Sequence, residues 1–122
     1  MGDETGSLRE HPVREVVEQN SSVVVRLTGE LDLYNAEVVR EALTEAAGRE
    51  PERLVIDLRD VSFLDSTALG VLIEARSKLS NRRSFLLAAA GLEARRALEI
   101  SGLDRHFELH DTVEGALAAN LG

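Results

Sequence analysis

The sequence predicts an α/β fold: a mixed sheet of about five strands with about four helices. Three observations carry this. Two β-branched runs, "VREVV" and "SVVVRLTG", lie on either side of Gln19-Asn20-Ser21 and read as an antiparallel hairpin. After them, short apolar runs alternate with segments of helical spacing, and right-handed crossovers make such βα units parallel. A length of 122 residues fits one core with no linker.

Taken in order, residues 1 to about 11 are polar and aperiodic and are expected to form a loose tail, leaving 12–122 as the domain. After the hairpin, "ELDLYN" reads as a polar loop ending in Asn35, a favoured N-cap residue. From Ala36 to Ala47, Val38, Val39, Ala42, Leu43 and Ala46 recur at helical spacing, and Gly48 and Pro51 are expected to stop that helix. "RLVIDL" is a nearly continuous apolar run, as expected of a strand buried on both faces. A further strand-like run ends in Phe63 and Leu64, and a second helix is expected from about Ser66 to Leu79.

"SFLLAAA" reads as another buried strand. Gly91 opens a third helix that runs to about Ser101, with Gly102 as its C-cap. "HFELH" reads as a short last strand. Val113, Ala116, Leu117 and Leu121 then mark a C-terminal helix at i, i+3, i+4 and i+8.

Composition narrows the function. With 43% apolar but only 3% aromatic residues, the core must be aliphatic, and base or sugar stacking is poorly served. No cysteine is present, which removes disulfides and thiolate metal sites. A net charge of −8 opposes nucleic acid and anionic membrane, although Arg82-Arg83 and Arg95-Arg96 form local basic pairs. No apolar run reaches the roughly 20 residues of a membrane span, no secretory leader is visible, and the start lacks a myristoylation pattern. A cytoplasmic protein that binds a protein partner or a small ligand is the expectation.

The chemistry is expected at the C-terminal ends of the strands, the working edge of open α/β sheets. Two acidic loops fall there: Gly29-Glu30-Leu31-Asp32, and Asp65-Ser66-Thr67 at the start of the second helix. If their strands are neighbours, Asp32 and Asp65 lie close to Ser66. Ser66 is then either a helix cap or a chemical handle, and capping statistics favour the cap.

Enzyme readings fit less well. Leu64 and Ala68 stand where a nucleophile elbow has glycines, and His11, His106 and His110 are not placed to serve Ser66 as a base. An Asp32/Asp65 acid–base pair lacks a Gly-rich loop or an aromatic platform beside it. His106 and His110 would lie roughly 13 Å apart along a strand, too far to share an ion. No phosphate-cradling GxxxxGK[ST] pattern occurs. No cofactor or metal is expected.

On the second helix, Leu69, Leu72, Ile73 and Leu79 define a buried stripe, and Arg76 falls on it, its stem expected along apolar surface with the head at an edge. Ala68, Val71 and Ala75 form a small apolar patch beside Ser66, for a partner or for a neighbouring helix.

The chain resembles STAS domains, specifically stand-alone bacterial anti-sigma factor antagonists. The matching stretches are "VVVRLTGELDLYNAE", "LVIDLRDVSFLDSTALGVLI" and "LEARRALEISGLDRHFELHDTVEGAL", together spanning roughly residues 13 to 120. The resemblance implies that Ser66, the serine directly after the aspartate, is phosphorylated by a partner that is both kinase and anti-sigma factor. Asp32, Asp65, Ser66, Thr67, Ala68 and Val71 would form the partner-binding face, with Thr67 as second-choice acceptor. It departs from the family pattern modestly, with Thr67 where many relatives have serine and Ala68 where many have glycine.

The resemblance further implies that the unmodified form captures the anti-sigma factor and frees the sigma factor, in stress response or sporulation. Phosphorylation would end the capture and a separate serine phosphatase would reset it. The chain would be a substrate and binder, not an enzyme. Family members without phosphorylation act as scaffolds, and a ligand-sensing module is the other alternative.

Overall fold

The computed structural model describes residues 11–121. The expected loose tail lies outside them, apart from His11, whose ring Nδ1 accepts from the Val13 amide at 3.2 Å. Five strands form one sheet: β1 (Val13–Gln19), β2 (Ser22–Leu31), β3 (Arg53–Leu64), β4 (Phe85–Ala88) and β5 (Glu108–His110). Their spatial order is their sequence order, with β1 antiparallel to β2 and all later pairs parallel. The α-helices are α1 (Ala36–Gly48), α2 (Ser66–Ser77), α3 (Leu92–Ser101) and α4 (Val113–Leu117).

The mixed sheet and its four helices bear out the predicted fold class. The β1–β2 turn is tight, because Asn20 and Ser21 take φ values of 51° and 70°, the two positive values a type I′ turn requires. Each later strand is added on the same side of the sheet. Right-handed crossovers therefore place α1, α2 and α3 on one face.

That face holds the main core. Val23, Val25 and Leu27 of β2, Leu54, Ile56 and Leu58 of β3, and Phe85 and Leu87 of β4 point into it. Val39, Leu43 and Ala46 of α1, Leu69 and Leu72 of α2, and Ala94 and Leu98 of α3 close it. On the other face, Val24, Val55, Leu86 and Ala88 pack against Ala116 of α4. The run "RLVIDL" is nearly continuously apolar, Leu54 to Leu58 interrupted only by Asp57, because both faces of β3 are covered.

Several boundaries differ from expectation, each for a local reason. α1 continues through Gly48, and the chain turns only at Glu50, with φ of 52°. β3 runs to Leu64 in one strand and carries two register shifts against β2, at Arg26/Thr28 and at Gly29/Glu30. Gly29, with φ of 81°, takes a conformation that a β-branched neighbour could not.

α2 ends at Ser77 rather than Leu79, and β4 stops at Ala88, where Ala89 turns to φ of 60°. β5 is reduced to Glu108–His110, although Phe107 just before it is buried and packs on Phe85. α4 is only five residues long. Leu121 lies beyond it yet still packs on the second face, and the Arg53 guanidinium holds this end by donating to the Ala119 carbonyl. Gly102 caps α3 in the left-handed region, as expected.

Candidate functional site at the start of α2

β2 and β3 are paired up to Leu31 and Leu64, so Asp32 and Asp65 leave adjacent strand ends side by side. The backbone amide of Asp65 donates to the Leu31 carbonyl at 3.1 Å, which fixes this junction.

Asp65 is the N-cap of α2. Its Oδ1 accepts from the Ala68 amide at 2.9 Å, and its Oδ2 accepts from the Leu33 amide at 3.1 Å. The capping role anticipated for Ser66 therefore belongs to its neighbour. Ser66 is the first residue inside the helix, is exposed, and its hydroxyl has no hydrogen-bond partner among the described residues. Thr67 follows, half-buried.

The loop that carries Asp32 is held by its own side chains. Asp32 Oδ1 accepts from the Tyr34 amide at 3.0 Å, and Asn35 Oδ1 accepts from the Asp32 amide at 2.9 Å. Asn35 Nδ2 donates to the Glu30 carbonyl at 2.8 Å. Asn35 occupies the N-cap position of α1 but its side chain bonds no helix amide, contrary to the sequence expectation, because both of its polar atoms close the loop.

Two residues assigned to the partner-binding face are not on the surface. Ala68 is 4% exposed and Val71 1%, and with Ala75 they belong to the main core. Their patch is thus spent inside the domain, where α2 packs on α1 and the Arg40 Nε donates to Glu74 at 3.0 Å. That hydrogen bond, aided by Glu37, raises the Arg40 pKa above its ordinary value.

Ile73 is displaced in the opposite sense. Expected in the buried stripe, it is 45% exposed and lies with Ser66, Gly70 and Ser77 along the outer side of α2. Burying Ala68, Val71 and Ala75 turns Ile73 outward.

Leu33 and Tyr34 in the Asp32 loop and Phe63 at the end of β3 are exposed as well. The segments that carry the exposed hydroxyl and the two carboxylates thus also carry exposed large apolar side chains, a composition that fits a protein interface better than solvent. Sequence reasoning missed Leu33, Tyr34 and Phe63 as surface groups of this face and placed Ile73 in the buried stripe. Leu33 and Tyr34 were legible as apolar letters within a polar loop, whereas the exposure of Phe63 depends on the bulged end of β3.

The profile of the STAS domain family matches residues 13–116. The anti-sigma-F factor antagonist RsfB of Mycobacterium tuberculosis is 36% identical over 107 residues, 88% of each chain. The anti-sigma-B factor antagonist of Listeria monocytogenes is 42% identical over 96 residues, 77% of this chain and 82% of the relative. The crystal structure of an anti-sigma factor antagonist from Mycobacterium paratuberculosis superposes with a TM-score of 0.79 at 34% identity, covering 84% of this chain and 88% of that one. On sequence, topology and coverage together, this chain belongs to the STAS domain family.

Proposed function

We propose that this STAS domain is an anti-sigma factor antagonist controlled by phosphorylation of Ser66. In its unphosphorylated form it binds an anti-sigma factor with serine kinase activity, which releases the sigma factor. Phosphorylation by that partner switches binding off, and a serine phosphatase restores it. The chain contributes the binding face and the acceptor hydroxyl, and the catalysis belongs to its partners.

The observation that carries this reading is the division of labour between Asp65 and Ser66. Because Asp65 caps α2, the Ser66 hydroxyl is not needed to hold the helix and stands exposed, on a segment flanked in sequence and in the sheet by exposed apolar residues. The chain's similarity to anti-sigma factor antagonists, up to 42% identical, supports the same reading.

The physical consequences are direct. A phosphate adds about −1.5 to −2 charges at neutral pH. At the first helical residue it meets unpaired amides and the positive end of the dipole, so the helix tolerates it. The partner must then cover that charge beside Asp32 and Asp65. An uncompensated interfacial charge costs several kcal/mol, about a hundredfold or more in affinity.

Peptide mass spectrometry across residues 60–80 of protein purified from its own cells tests this. Phosphate on Ser66 supports the switch, and phosphate on Thr67 moves its acceptor by one residue. Its absence under every growth and stress condition overturns the proposal in favour of an unregulated scaffold.

A further inference from the structure

Away from the Ser66 face, the domain has a concave site at the other end of α2. A cavity of about 280 Å³ is lined by Arg76, Arg82, Arg83, Arg105, His106 and Glu108, with Phe107 as its buried floor. Arg76 comes from the last turn of α2, Arg82 and Arg83 from the 3₁₀ turn before β4, and Arg105 from the 3₁₀ turn before β5. Three separate segments thus bring four arginines to the lining of one hollow.

This convergence runs against the rest of the molecule. The chain has a net charge of −8, and elsewhere Arg26, Arg40, Arg49, Arg53 and Arg95 each lie within 4 Å of a carboxylate. None of the four cavity arginines forms an ion pair with another described residue. The one carboxylate in the lining, Glu108, is turned to His110, with Oε1 3.7 Å from Nε2. Four like charges gathered with one carboxylate in the lining repel, and a bound anion would relieve that repulsion. The α2 C-terminus gives Arg76 a reason to be there, but not the other three.

We propose that this cavity binds a small diphosphate-bearing anion. Planar guanidiniums present forked donors that match phosphoryl oxygens, often two at a time. A terminal phosphoryl group carries about −1.5 to −2 charges and a diphosphate about −3 in all, so a diphosphate offsets most of the charge of four arginines where a single phosphate does not. The cavity is small and concave, which favours a compact anion over an extended acidic peptide. Phe107 is 5% exposed and offers no open ring for a base to stack on, so recognition falls on the phosphates. Arg76 lies ten residues after Ser66, about 15 Å along the helix, and the site is independent of the proposed switch.

Calorimetric titration of the full chain with inorganic pyrophosphate, beside inorganic phosphate and citrate, tests the inference. Saturable one-to-one binding of pyrophosphate is expected, tighter than either comparison anion, with amide NMR shifts confined to residues 76–84 and 105–108. Arg83→Gln and Arg105→Gln, both at exposed positions, should each weaken it by about tenfold or more. The pair Arg95→Gln/Arg96→Gln removes two charges outside the cavity and should leave binding within about twofold, as should Ser66→Ala. Absence of saturable binding overturns the proposal. So does equal weakening by the α3 pair, which would make the effect one of net charge. Binding of an acidic peptide at these arginines without pyrophosphate binding would overturn it too, assigning the hollow to a protein partner.

Discussion

The carboxylate of Asp65 bonds the amide of Leu33, 32 residues earlier in the chain, at 3.1 Å, while its other oxygen caps α2 at Ala68. One side chain therefore starts the helix that presents Ser66 and fastens the loop that presents Asp32, Leu33 and Tyr34. The candidate binding face is fixed at its centre by a residue that belongs to both halves.

Asp65→Ala is accordingly expected to destabilise the domain by about 1–2 kcal/mol, the usual cost of a lost cap, and to loosen the Asp32 loop. Ser66→Ala should change stability by less than about 0.5 kcal/mol, since its hydroxyl holds nothing in place. Urea denaturation of the two variants separates the roles. A larger loss for Ser66→Ala would return the capping role to Ser66.

Ser66→Ala should bind the anti-sigma partner normally and resist switching. Ser66→Glu brings a single charge where phosphate brings nearly two, so a loss of about tenfold or more in affinity is expected rather than the full effect. Surface plasmon resonance against the proposed anti-sigma partner measures both. Equal affinities for the two variants would contradict a charge-based switch.

Tyr34→Ala and Ile73→Ala truncate apolar groups that are 84% and 45% exposed, so the fold should lose little. If they anchor a partner, each should weaken binding by about tenfold or more. Thermal melting and partner titration on the same samples give the two readings. Unchanged affinity in both variants would move the interface away from this face.

Gly70 and Gly102 should respond to alanine with opposite signs. Gly70 sits inside α2 with no atom within 4 Å of a built Cβ, so Gly70→Ala should stabilise by about 0.5–1 kcal/mol. Gly102 has equal space but a φ of 79°, so Gly102→Ala should destabilise by about 1–2 kcal/mol. Chemical denaturation decides the signs. Gly70 shares the outer line of α2 with Ser66 and Ile73, so its alanine variant should also bind the partner less well if the contact there is close.

Much of this protein follows from its sequence alone. The β-branched runs beside Asn20-Ser21, the alternation after Ala36, and Gly102 beyond α3 gave strand, helix and cap, because period and backbone preference are properties of neighbouring residues. The parallel direction of the later strands followed from the βα alternation, whereas the neighbouring of β2 and β3 that sets Asp32 beside Asp65 was decided by the folded sheet. The tertiary structure decided what depends on competition between neighbours in space. Asp65 took the cap because it also reaches Leu33, and Asn35 gave up its cap to close a loop. Packing against α1 and the sheet turned Val71 inward and Ile73 outward, although both are apolar letters two residues apart. Four arginines spread over thirty residues met in one hollow for the same reason, since only the folded chain brings the end of α2 to the start of β5.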